Sequence, residues 1–222
     1  MIKYSLKETY NLENNIDSIY KELLENKYNF SILKTSNKYM CLTKEKSLFP
    51  IDELNDFIEK YKNNEYYKSI KENIAEVDKN DLKKYYSYLN KFKYKLTKNL
   101  YGDKYFFGCV SIRSKTGFIT TIRGKENLND YSYVNYVDHT NKIVSIKDKK
   151  ATLNAPLLAY LFENNNVDAI VHINHEYNED FPTYEYAFPG TINDSIRDNH
   201  KSFNIKYHGV FYLINKDGSV IK

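Results

Sequence analysis

The chain has 222 residues, 41% hydrophobic and 16% aromatic, with 33 basic residues against 29 acidic ones. That supplies enough apolar material for a globular core and excludes a disordered chain. The net charge of +4 is spread along the sequence rather than gathered on one element, which argues against a nucleic-acid partner.

Cys41 and Cys109 are too few for a disulfide framework, and no apolar run reaches signal-peptide or membrane-spanning length. A soluble, cytoplasmic protein with no membrane partner is expected. The abundant Tyr, Lys and Asn read as codon bias rather than function.

In chain order, alternation over residues 2–9 predicts a strand. Ile16, Ile19, Tyr20, Leu23 and Leu24 then fall on one face of an amphipathic helix. Residues 30–35 and 39–44 read as two short strands, and Pro50 reads as the opening of a helix with Asp52 and Glu53 in its first turn. Residues 1–62 thus form a small β-α-β-β-α unit. The charged stretch 63–80 reads as a connector, helical or solvated. Asp81 is a candidate N-cap for a helix running to about Leu96. From Phe106 the period changes to short strands broken by Gly, Asn and Asp. A helix over 155–165, a buried strand over 167–173 and a last strand from His208 follow. Strands, helix and strand in this order indicate an α/β domain over residues 81–222.

Five segments of that domain carry motifs. They are Gly108-Cys109-Val110-Ser111-Ile112-Arg113, the run from Gly117-Phe118-Ile119-Thr120-Thr121 to Arg123-Gly124, Thr152-Leu153-Asn154, His172-Ile173-Asn174-His175, and His208-Gly209. In order and spacing they resemble the class II aldolase/adducin family. The resemblance implies a central mixed sheet flanked by helices, and a divalent metal, usually zinc, held by histidines. In that chemistry the metal polarises a carbonyl and stabilises an enediolate. His172, His175 and His208 are the candidate ligands. Gly108, Ser111, Thr120, Thr121 and Arg123 are the candidate substrate contacts. The substrate class implied is a small, phosphorylated sugar or hydroxy-carbonyl compound, and the assembly implied is a homo-oligomer, a tetramer in many members.

Four positions depart from the family pattern. Asn174 aligns with the second histidine, so His175 serves only if the chain bulges by one residue. Asn154 stands at the family's catalytic Glu, and an amide takes no proton at neutral pH. Cys109 replaces a phosphate-contacting Asn, and Arg123 replaces a Ser; its guanidinium either pairs with a phosphate or is simply solvated. Glu176 is a candidate replacement acid/base, followed by Glu179, Asp180 and Glu185 in a loop whose Pro182, Pro189 and Gly190 suit the wall of a pocket. His139 and His200 read as stray loop histidines. The departures keep open a second expectation, a catalytically degenerate binding or assembly module of the adducin kind.

The N-terminal unit, through Leu6-Lys7-Glu8-Thr9 and the strands after its helix, is similar to the C-terminal part of phosphopantothenoylcysteine synthetases. The nucleotide-binding body of such an enzyme is absent, so that activity is not implied.

Overall fold

The computed structural model describes residues 3–9, 12–44, 46–62, 65–96, 105–195 and 200–222. The chain divides into two units, Met1–Glu65 and Tyr66–Lys222.

In the first unit, β1 (Tyr4–Glu8), α1 (Leu12–Glu25), β2 (Phe30–Lys34), β3 (Tyr39–Thr43), β4 (Leu48–Ile51) and α2 (Leu54–Lys62) follow one another. The sheet runs β1-β2-β3-β4, with β1 parallel to β2 and the other pairs antiparallel. The apolar stripe of α1 (Ile19, Tyr20, Leu23) packs on Leu33, Met40 and Leu42. On the other face, Phe30 and Phe49 meet Phe57 of α2. Pro50 does not open a helix. It lies in β4 opposite Met40, and α2 starts at Leu54. β4 is an edge strand, where a residue without an N–H is tolerated.

The second unit begins with β5 (Lys68–Lys71) and α3 (Lys79–Phe92). Four strands come next, β6 (Cys109–Arg113), β7 (Phe118–Thr121), β8 (Tyr131–Asp138) and β9 (Ile143–Ile146). Then come α4 (Ala155–Asn164), β10 (Ala169–Asn174), β11 (Thr183–Tyr184), α5 (Ile192–Ser195), β12 (Phe203–Ile205) and β13 (Gly209–Ile214). The strands form one mixed nine-stranded sheet, ordered β11-β12-β13-β10-β6-β7-β8-β9-β5. β5 pairs parallel with β9, so part of the expected connector is sheet; residues 63 and 64 of that stretch lie outside the described set. α3 starts earlier than expected because Asp78, not Asp81, caps it: its carboxylate accepts from the backbone N–H groups of Asn80 at 2.7 Å and Asp81 at 3.3 Å.

Alternation sorts the sheet into two apolar faces. Val110, Ile112, Ile119, Val171, Ile173 and Val210 form a core with Tyr85 and Leu89 of α3. α4 covers the opposite face, its Phe162 against Phe118 at 5.4 Å. Among the described residues no helix is long and apolar enough to cross a membrane. The fold class is α/β, a mixed sheet flanked by helices after a small α/β unit.

Candidate functional site

The polar residues gather at one end of the α4 face. β6 and β10 are antiparallel neighbours, and their register sets His172 opposite Cys109, while β13 sets Phe211 opposite His172. Cys109, Ser111, His172 and Asn174 therefore share this face, and the turn before α4 brings Thr152 and Asn154 to it.

Two glycines permit the approach. A side chain on Gly108 (φ +83°) would place Cβ 2.5 Å from the His172 carbonyl oxygen, and one on Gly209 (φ +136°) would place it 2.1 Å from the Ile173 carbonyl oxygen. Both lie in backbone conformations that glycine adopts freely. Each strand neighbouring β10 thus presses on it where a β-carbon has no room.

His172 is fully buried and lies flat on Phe211, ring centroids 4.1 Å apart and planes 15° apart. Phe211 stacks in turn on Phe203, at 5.0 Å and 7°. The His172 Nδ1 donates to the Val210 carbonyl at 3.0 Å. A neutral ring that donates there keeps a lone pair on Nε2, and Nε2 faces the Nε2 of buried His208 at 3.2 Å. Burial pushes the His172 pKa down to about 3; the charges of Lys125 and His175 act the same way, and the Val210 bond opposes them.

Of the residues expected at the site, His172, His208, Asn154 and the displaced positions Cys109 and Asn174 come together. Asn174 is buried on the same face of β10 as His172, two residues along the strand. Asn154 lies against the Cys109 thiol, as do Thr152 and Ser111. Ser111 and Thr120 bond each other at 2.7 Å on the same face, whereas alternation turns Thr121 to the α3 face with Ile119.

The remaining candidates do not join them. His175 sits in a turn at φ +61° with an exposed side chain, and its backbone N–H bonds the His208 carbonyl at 3.0 Å. Arg123 is exposed in the turn after β7. Glu176 is engaged by Lys95 at 2.8 and 3.1 Å and by the Tyr212 hydroxyl at 2.5 Å. Burial alone would raise its carboxyl, but those bonds outweigh burial and hold it below the usual range. Asp180 and Glu185 pair with Lys222 and Lys206 at the surface. The end of their loop, Tyr186 to Gly190, is buried, and the Tyr186 ring lies 6.1 Å from that of His208.

Sequence reasoning missed Lys125. It follows the β7 turn and is only 5% exposed, and its ammonium makes no hydrogen bond or ion pair among the described residues. Its charge acts on both Cys109 and His172. Burial pushes the ammonium pKa down to about 8, with Cys109 the one opposing influence. Burial raises the Cys109 thiol, against the Lys125 charge and its hydrogen bonds. No signal in a lysine-rich sequence separates this lysine from its exposed neighbours.

The donor set can be tested against zinc. Two imidazole nitrogens 3.2 Å apart match a pair on one tetrahedral ion, for which bonds of about 2.0–2.1 Å give roughly 3.3 Å. The third donor is lacking: Asn174 and Asn154 offer neutral amides, which are poor zinc ligands. Among the described residues no group of three or more His, Cys, Asp or Glu side chains is placed to hold a metal ion. The residues present do not fit a three-ligand zinc centre.

No family model matches the chain, and no curated protein matches it. An L-fuculose 1-phosphate aldolase structure is similar at 11% identity, covering 63% of this chain and 77% of its own, with a TM-score of 0.43. The L-fuculose-1-phosphate aldolase from Thermus thermophilus is similar at 15% identity, covering 63% of this chain and 82% of its own, with a TM-score of 0.44. The N-terminal likeness to phosphopantothenoylcysteine synthetases finds no support in these comparisons.

Proposed function

We propose that this chain binds and converts a small hydroxy-carbonyl compound, phosphorylated or not, by lyase or epimerase chemistry in the polar nest around His172 and His208. One observation carries the reading. A buried imidazole pair shares this end of the sheet face with an Asn154 carboxamide oxygen that has no partner among the described residues. Burying such groups costs on the order of several kcal/mol, which a purely structural core avoids. A ligand rich in hydroxyl and carbonyl groups satisfies them. In this scheme the His172–His208 pair is a hydrogen-bonding edge that orients the ligand, because the neutral His172 ring accepts at Nε2 while burial holds its pKa near 3.

The motif resemblance supports the same substrate class and extends it to a homo-oligomer, a tetramer, in the cytoplasm. Zinc enters this reading only as the family's usual metal, since the residues supply two imidazoles and an amide.

The test pairs ligand-detected NMR with turnover assays on short hydroxyaldehydes, hydroxyketones and their phosphate esters, using metal-free and zinc-supplemented protein. Saturable binding that disturbs His172 is expected in both preparations. Binding or turnover that appears only with stoichiometric zinc would reverse the metal-free assignment, and no binding at all would refute the proposal. A second reading, a binding or assembly module without turnover, is favoured by the amide at Asn154 and is what binding without turnover would indicate.

A further inference from the structure

Among the described residues the two sheets end on four edge strands, β1 and β4 in the first unit and β11 and β5 in the second. An open edge offers its backbone to any strand that fits, and folded proteins blunt such edges with proline, exposed lysines or brevity. Three of the four are blunted in these ways. β4 carries Pro50, β5 begins and ends on the exposed Lys68 and Lys71, and β11 is two residues long. β1 is different. Its five residues pair with β2 without a bulge and include no proline. Its two charges are already paired within the chain, Lys7 with Glu22 of α1 and Glu8 with Lys34 of β2 at 2.8 Å. Leu6 is left 58% exposed and Tyr4 37% exposed, on the face where Tyr4 stacks on Phe30.

The direction of the backbone groups decides what this edge can take. The Thr9 N–H donates to the Lys34 carbonyl of β2 at 2.9 Å. Peptide groups alternate in direction along a strand, so those of Ser5 and Lys7 also face β2, while Tyr4, Leu6 and Glu8 aim their N–H and C=O groups away from it. We propose that β1 is a homodimer surface: β1 of a second copy adds to it antiparallel around a twofold axis through Leu6, joining two four-stranded sheets into one. A second copy is the occupant because this edge is complementary to itself. Only this register matches all three outward residues, with Leu6 against Leu6 of the partner subunit and Tyr4 against the partner's Glu8, repeated by symmetry. Each pair exchanges two backbone hydrogen bonds. The leucines close an apolar contact, and the Tyr4 hydroxyl, a donor, lies beside a carboxylate, an acceptor. A contact this short is smaller than a standard interface, so the dimer is reversible and of micromolar strength. The surface lies in the first unit and does not depend on the chemistry assigned to His172 and His208.

The experiment uses the full chain in two arms. Sedimentation over a range of protein concentrations is expected to show reversible self-association. Leu6→Lys sets like charges opposite each other at the axis and should raise the dissociation constant about tenfold, with circular dichroism unchanged because Leu6 is exposed. Cysteine cross-linking then reads the register. In a hydrogen-bonded antiparallel pair the Cα atoms at the axis lie about 5.5 Å apart, within disulfide reach. Leu6→Cys should therefore give a disulfide-linked dimer under mild oxidation. Position 8 lies roughly 14 Å from its symmetry mate in this register, so Glu8→Cys should not. The native Cys41 and Cys109 are buried and do not compete. A wild-type chain that stays monomeric at millimolar concentration overturns the proposal, and so does cross-linking that is equal in Leu6→Cys and Glu8→Cys. Self-association undiminished in Leu6→Lys also overturns it, assigning the contact to another surface and leaving the reading of the His172 site intact.

Discussion

Replacing Lys125 by Met gives a stability test with a calculable size. The folded pKa of about 8 lies below the ordinary 10.5. Below pH 8 both states hold the proton, and the penalty for burying the charge is fully present. Between pH 8 and 10.5 the unfolded chain holds a proton that the folded chain has lost, so folding stability rises with pH across that window. Linkage with these two values gives a gain of about 1.3 kcal/mol between pH 7 and pH 9. Cys109 works the other way: its folded thiol lies above 9.0, so the unfolded chain ionises first and stability falls as pH passes that value. Tyr85, raised by burial, does the same above pH 10. Both residues remain in Lys125→Met, so the difference between wild type and variant isolates the lysine. The assay is urea unfolding of dialysed protein at pH 7 and pH 9, followed by circular dichroism. The variant is expected to be the more stable at pH 7, with wild type recovering about 1.3 kcal/mol of the gap by pH 9. A gap identical at the two pH values would mean that Lys125 is neither buried nor perturbed as described.

Asn174→His adds a third imidazole beside His172 and His208 and should raise zinc affinity by at least about tenfold. Metal analysis after dialysis against a competing chelator reads this directly; retention equal to wild type would show that residue 174 does not aim at the pair. Gly209→Ala forces a left-handed backbone on alanine and drives its Cβ to 2.1 Å from the Ile173 carbonyl oxygen. A loss of about 2–4 kcal/mol is expected in thermal unfolding, and a near-neutral result would refute the tight approach of β13 to β10.

Much of the second unit is legible in sequence because its strands alternate or are wholly apolar, as in β6 and β10, and because α4 carries a helical apolar face. Local signals fail where tertiary context decides. Pro50 resembles a helix start yet becomes an edge-strand residue, and β5 is a four-residue segment whose only credential is its partner β9. β11, α5 and β12 are too short to generate a period. At the site, motif order locates His172, His208, Cys109 and Asn154, since these lie at strand and helix ends that the pattern fixes. Glu176 is engaged by Tyr212 and by Lys95, 81 positions away, pairings that no local signal reveals. Lys125 is invisible for a related reason: its backbone carbonyl is held by the Phe106 N–H, a pairing across 19 positions that no local signal shows.

His172, Phe211 and Phe203 form a column of near-parallel rings across β10, β13 and β12. Turning the imidazole about its Cβ–Cγ bond would drive a ring edge into a phenyl face, so the plane of the ring is set before any ligand arrives. The orientational freedom of the ring is surrendered during folding, and little of it is left to lose on encounter. Such a group acts as a fixed anvil. Any ligand that uses this ring must bring its reacting atom to Nε2, because the stacked ring cannot turn to meet it.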